Sequence, residues 1–307
     1  MASFNGKAAR RSILRRVLTP SGLIELRRRR KSRGRRKRVE DDPELKLYAR
    51  MLDKEYLHLG YFDDPTLTGE DISFGALMAA QARYGAMIVE RVRSAGGLVL
   101  DGGCGMGGLL APLQEAGHRP VALTPDRSQI AHISSKFPDL PVEHSTFEGL
   151  DTTRYARAFD TIINSESWQY IDLDAGLAVV DRVLAPGGRW VICDFFRETD
   201  KIDRAGHKLE VFRAKTAAAG WRLIEDNDIT PNILPTLAFA HMLGRRLIAP
   251  LVDYGIEKLQ LKAPGVHYVF EEILAQAGPR LERQLEVVEP QKFAANKTYR
   301  LFVLERG

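Results

Sequence analysis

Leu98-Val99-Leu100-Asp101-Gly102-Gly103-Cys104-Gly105-Met106-Gly107-Gly108 is the stretch that decides the fold. Three apolar residues form a short strand, the glycines form a tight turn, and residues 109–116 read as the helix behind it. Gly103, Gly105 and Gly108 follow the G-x-G-x-x-G spacing, which between a strand and a helix brings bare backbone against a ligand. That spacing alone is shared by several nucleotide-binding folds.

Working outward, the alternation repeats. Strands are expected at 120–123, near Val142, at 160–163 and at 189–195, with helices at 128–136 and 175–184 and a turn at Ala185-Pro186-Gly187-Gly188. A helix at 209–219, a strand at 221–224 and a last strand at 299–304 follow. Such alternation predicts a doubly wound α/β fold whose mostly parallel sheet is covered on both faces. Upstream, residues 43–94 are helical in pattern, with apolar residues at three- and four-residue spacing over 76–92 until Gly96-Gly97 stops them. Residues 231–288 are helical and apolar and interrupt the strand sequence. The expected organisation is therefore a basic arm (1–43), N-terminal helices (44–95), a core (96–230), a helical lid inserted before the last strand (231–290) and that strand (291–307).

Composition narrows the function. The net charge of +5 hides an asymmetry: residues 1–38 hold 15 Lys/Arg against Glu25, net +14, leaving 30 basic and 39 acidic residues elsewhere, net −9. An acidic body argues against a nucleic-acid enzyme, and no Asn/Asp-Pro-Pro-Tyr/Trp motif follows the fourth strand. The arm clusters Ile13, Leu14, Val17 and Leu18 between arginines, which suits an anionic membrane surface, and residues 10–38 are the candidate contact. The same run would bind nucleic-acid phosphates nonspecifically, though it has no interleaved aromatics for stacking bases, and a solvated, disordered tail is a further reading of these residues. Cys104 and Cys193 form no metal spacing and no disulfide framework, so no metal is expected and a reducing cytoplasm fits. No apolar run reaches the length of a membrane span.

Two features narrow the ligand. An acid, Asp101, follows the first strand directly, and Leu184-Ala185-Pro186-Gly187-Gly188-Arg189-Trp190 precedes the fifth. With the glycine turn they resemble class I methyltransferases over roughly residues 56–230 plus the terminal strand. The resemblance implies a Rossmann-like seven-stranded sheet, S-adenosyl-L-methionine as cofactor, and contacts to its methionine portion from Asp101, Gly102, Gly103, Cys104 and Gly105. A nicotinamide enzyme would want an acid at the end of the second strand to grip the ribose, where Thr124 stands.

Leu123-Thr124 followed by Gln129 resembles the Leu-Thr-Leu-Ser-x-x-Gln run of cyclopropane-fatty-acid synthases and tocopherol-type methyltransferases. It implies Thr124 and Gln129 at the ribose, with Asp126 in reserve. Likewise Thr146, Phe147 and Glu148 occupy the adenine position, Asn164 and Ser165 end the fourth strand beside the cofactor, and Tyr61 of Tyr56-Leu57-His58-Leu59-Gly60-Tyr61 is the aromatic that closes over it. The loop after the fourth strand faces the methyl group, which nominates Glu166, as base or substrate anchor, with Trp168 and Tyr170. Tyr170 stands where a His is common, so a mechanism using that His as base is excluded.

In the lid, Phe239 and Met242 are candidate linings for an apolar acceptor, and Arg245 and Arg246 for its anionic group. His58, His207 and His241 are lone histidines, more often packed or superficial than catalytic. The expected activity is methyl transfer to a small, apolar or lipid-like molecule of natural-product, isoprenoid, quinone or fatty acyl type. A cyclopropane-type synthase, or a non-catalytic cofactor-binding protein docked on membranes through the arm, is the alternative.

Overall fold

The computed structural model describes residues 24, 56–93, 96–199 and 205–306. Most of the basic arm and the start of the N-terminal helices therefore lie outside the described residues.

The chain runs through α1 (Phe74–Val89), β1 (Leu98–Gly102), α2 (Leu110–Glu115), β2 (Arg119–Leu123), α3 (Arg127–Lys136), β3 (Val142–Glu143), β4 (Phe159–Ser165), α4 (Leu173–Val183) and β5 (Leu184–Arg197). It continues through α5 (Leu209–Ala218), β6 (Trp221–Asp228), α6 (Thr230–Leu243), a π-turn (Gly244–Ile248), α7 (Ala249–Lys262), α8 (Pro264–Leu274), α9 (Ala277–Val287), α10 (Pro290–Asn296) and β7 (Lys297–Arg306). Short polar residues start the helices: Ser73 caps α1, Asp126 caps α3 and Asp172 caps α4, each accepting from backbone N–H groups of the first turn.

The seven strands form one sheet in the order β3-β2-β1-β4-β5-β7-β6. The first five pair in parallel, and β7 lies antiparallel to both β5 and β6. The expected turn at 185–188 is present, but as an excursion inside β5. Leu184 already pairs with Phe159, the next four residues bulge outward with Gly187 at φ +69°, and Arg189 rejoins the ladder opposite Thr161.

Period-two alternation splits the strand residues between the two faces. Leu100, Ile162, Trp190 and Phe302 face a core built with α4 and α5, whereas Val99, Ile163, Val191 and Leu301 face α1 and α6. Fully burying such side chains is worth about 1.5–3 kcal/mol each. Trp190 is the hub of the first face: its ring meets Trp168 at 4.7 Å, Trp221 at 5.5 Å and Phe212 at 6.2 Å, and its Nε1 donates to Asn164 Oδ1 at 2.9 Å.

Trp190→Ala is expected to lower the unfolding free energy by about 3–5 kcal/mol, and denaturant titration checks this. A loss below about 1 kcal/mol would show that the aromatic cluster relaxes around the cavity.

Candidate active site

The glycine turn leaves β1 with its conformation fixed by what packs on it. Gly103, Gly105 and Gly107 have positive φ (+95°, +55° and +87°), a region other residues reach only with strain. A Cβ on Gly103 would run into Ser167, and one on Gly102 would lie 2.8 Å from both Asn164 Nδ2 and Phe147 Cε2. The Gly102 carbonyl accepts from Asn164 Nδ2 at 3.0 Å and from Ser167 Oγ at 2.5 Å. The turn is thus bolted to the end of β4 and to the 145–150 loop. Gly103 and Cys104 donate their N–H groups to the Leu123 carbonyl, so those two donors serve the turn. The Cys104 side chain packs beneath it with Leu110, Ala122 and Ile133, and burial raises its thiol pKa well above the ordinary range.

Asp101 is 2% exposed, and its Oδ2 has no hydrogen-bond partner among the described residues. Burial pushes its pKa up to about 7. A buried, unsatisfied carboxylate beside bare backbone fits a cationic ligand group such as the ammonium of an amino acid.

At the end of β2, Thr124 donates to Gln129 Oε1 at 2.5 Å and accepts from Asp126 N at 3.2 Å. The two residues expected at the ribose are therefore neighbours. Asp126 is committed to capping α3. Phe147 lies edge-on to Trp168 at 6.0 Å, Thr146 accepts from Gly149 N through its carbonyl, and Glu148 accepts from Asp172 N at 3.0 Å.

Glu166 follows β4 directly and takes a left-handed φ of +48°, a strained backbone for this residue. Its Oε1 accepts from Leu59 N at 2.8 Å and from Tyr299 Oη at 2.7 Å. Tyr299 in turn lies 3.0 Å from Tyr84 Oη, which donates to the Cys193 carbonyl and neighbours Ser165 Oγ at 3.2 Å. Both donors fall on Oε1. Burial raises the Glu166 pKa, and the bonds from Leu59 and Tyr299 pull it back. Behind this group, burial raises Asp194 to about 8, and its carboxylate accepts from Gln169 N and Phe195 N.

Several expected residues stand elsewhere. Trp168 is fully buried in the aromatic core, whereas Tyr170 is 81% exposed on the short 3-10 turn, so the structure does not bring these two together with Glu166 in one cleft. Tyr61 bonds through its backbone N to Ala80, lies under Arg83 and lines a cleft of about 440 Å³ with Met87, Asp226, Asp228 and Leu301. Leu57, four residues earlier, is the one that meets Gly105. Phe239 and Met242 pack with Phe62, Ile72 and Leu77 in a satellite cluster. Arg245 pairs with Glu282 at 2.7 Å and Arg246 with Glu70, so both guanidinium groups already hold carboxylates of the chain. His58 is buried against Tyr84, where burial lowers its pKa to about 4 and keeps it neutral. His207 bonds the Trp168 carbonyl and His241 neighbours Arg245. Tyr84 and Tyr299 carry no sequence signal of a site, because both sit in apolar periodic segments.

Comparison with known proteins bears on this geometry. Residues 99–188, from β1 into the β5 bulge, match a family described as a methyltransferase domain. An uncharacterized methyltransferase of Alkaliphilus oremlandii is 25% identical over 161 residues, 48% of this chain and 70% of that protein. Residues 99–188 thus form a methyltransferase domain. Solved structures share the fold at low identity. The geranyl diphosphate C-methyltransferase of Streptomyces coelicolor A3(2) superposes with a TM-score of 0.60 at 15% identity, covering 88% of this chain and 100% of that one. The cyclopropane synthase MmaA2 of Mycobacterium tuberculosis gives 0.59 at 15% identity, covering 87% and 94%. The cyclase SpnF gives 0.60 at 17% identity, covering 87% and 96%.

Tyr299→Phe removes one of the two donors that favour the ionised carboxylate, so the Glu166 pKa is expected to rise further. Carbon-13 NMR of glutamate-labelled protein, assigned with Glu166→Gln, checks this, and an unmoved titration would contradict the assigned bond.

Proposed function

We propose that this methyltransferase transfers a methyl group to a small, apolar or lipid-like acceptor, with Glu166 taking the proton that the acceptor must lose. The orientation of Glu166 is the observation that supports it: two donors on Oε1 leave Oε2 as the basic atom. Bound S-adenosylmethionine supplies an electrophilic methyl on a cationic sulfur. Asp101 would hold its ammonium, Gly102–Gly105 would lie along the methionine part, Thr124 and Gln129 would meet the ribose, and the 146–148 loop would meet the adenine.

The chain's own part is positioning. Glycines without side chains allow close approach, and Leu57 over Gly105 covers the turn with apolar surface. Glu166 waits where a proton or a developing positive charge would appear. Holding reactants in line supplies much of the acceleration in such transfers, and a base adds roughly 10²–10⁴. Arg245 and Arg246 pair with Glu282 and Glu70 at the surface, and an acceptor recognised by its apolar body needs neither of them. The fold shared with a geranyl diphosphate methyltransferase and a cyclopropane synthase supports an isoprenoid or fatty acyl skeleton as the first acceptors to test. On an alkene the same carboxylate serves a second outcome, since loss of a proton from the added methyl group closes a cyclopropane. The basic arm, residues 10–38, would bring the enzyme to an anionic membrane surface.

Two measurements test this reading. Tritiated S-adenosylmethionine is offered with geranyl diphosphate, a prenylated quinol or a monounsaturated phospholipid. Glu166→Gln is expected to lower turnover of whichever acceptor is labelled by about 10²-fold or more, with S-adenosylhomocysteine affinity changed less than about threefold. Label transfer undiminished in that variant would remove Glu166 from the chemistry.

Calorimetric titration with S-adenosylhomocysteine at about pH 5.5, 6.5 and 7.5 tests Asp101. A ligand ammonium favours the ionised carboxylate, so affinity is level above pH about 7 and falls roughly tenfold per unit as Asp101 takes up a proton below it. Asp101→Asn should bind about 10–100-fold more weakly and lose that slope.

A further inference from the structure

Helices α7 and α8 pack on each other yet bury none of their own residues. Large apolar side chains stand in solvent instead, with Leu251 55%, Tyr254 57%, Leu261 80% and Ile273 59% exposed. At about 100° per residue Leu251, Tyr254 and Leu261 fall on one stripe of α7. Lys258 and Lys262 share that stripe, while Asp253 and Glu257 lie off it to one side. The Lys258 ammonium sits 5.2 Å over the Tyr254 ring and donates to its Oη at 3.1 Å. Large apolar side chains exposed at this density on a helix pair call for a partner.

We propose that the α7–α8 hairpin is an interfacial element that lays its apolar stripe into the surface of an anionic lipid bilayer. Aliphatic side chains flanked by tyrosine and lysine match the boundary between acyl chains and headgroups, where the lysine stems run along apolar surface and their ammonium groups reach phosphate. Along the α7 stripe the charged residues are Lys258 and Lys262, which complement an anionic surface, and the hairpin's acids, Asp253, Glu257, Glu271 and Glu272, would have to face away from it. At 14 residues, α7 is about 21 Å long and suited to lie along a surface; no helix of the described residues is long and apolar enough to cross a membrane.

The sequence supplies an independent second signal. Residues 1–38 hold 15 Lys/Arg, with Ile13, Leu14, Val17 and Leu18 among them. One weak anchor binds reversibly, and two together give stable attachment. The electrostatic half of the inference rests on the reading of the arm given above, and the apolar half on the hairpin alone.

The test is flotation of the full chain, without cofactor, on vesicles of phosphatidylcholine alone or mixed equally with phosphatidylglycerol. Wild type is expected to bind the mixed vesicles and to retain binding at about 0.5 M salt, where attraction through the arm is screened. The triple variant Leu251→Ser, Tyr254→Ser, Leu261→Ser is expected to lose about tenfold or more in partition constant at that salt. None of the three side chains is buried, so its melting temperature should match wild type. Equal partition of variant and wild type at both salts would overturn the proposal, as would wild type that binds neither vesicle. A wild-type dimer that the variant splits without changing vesicle binding would assign the stripe to a second copy and overturn it too. No turnover is measured, so failure here leaves the methyl-transfer reading standing.

Discussion

The carbonyl of Gly102 receives two side chains at once, Asn164 at 3.0 Å and Ser167 at 2.5 Å, and the arrangement of the site depends on that junction. Asn164 is itself oriented by the Trp190 indole at 2.9 Å, so the hydrophobic core dictates where the glycine turn sits. Ser167 presses against the face of Gly103 where a side chain would otherwise stand. Through this contact the end of β1, which positions Asp101, and the end of β4, which positions Glu166, become one rigid unit. A site that must align a transferred group within a fraction of an ångström gains from such support.

Much of the fold was legible because its physics is local. Short apolar strands, glycine turns and polar caps mark the boundaries of β1, β2, β4 and β7, and the alternation of Val99 with Leu100 or Leu301 with Phe302 assigns each to a face of the sheet. The glycine turn announced itself because only glycine tolerates φ values of +95° and +87° there. The 185–188 turn was legible as a turn, but its incorporation as a bulge within β5 depends on pairing with Phe159 and Thr161, which no local pattern records.

What escaped is long-range. Glu166 is held by residues 107 positions before it and 133 after it, and Tyr84 and Tyr299 look from their neighbours like ordinary core residues. Trp168 was drawn into the core by Trp190 and Phe212, because a large aromatic next to a half-built cluster is worth more buried than lining a cleft. Arg245 and Arg246 met Glu282 and Glu70, partners that sequence distance conceals. Tyr61 turned toward Arg83 while Leu57 took the position over the glycine turn.

The placement of β7 ties the far end of the chain to the middle of the sheet. It follows the inserted helices in sequence and lies between β5 and β6, and without it both neighbours would present open edges that invite pairing with other chains. Its Tyr299 also delivers the final donor to Glu166. Contacts spanning so much of the chain form slowly, after local helices have closed. The donor that Tyr299 gives Glu166 exists only when β7 is seated between β5 and β6, so this one hydrogen bond reports the closure of the whole sheet.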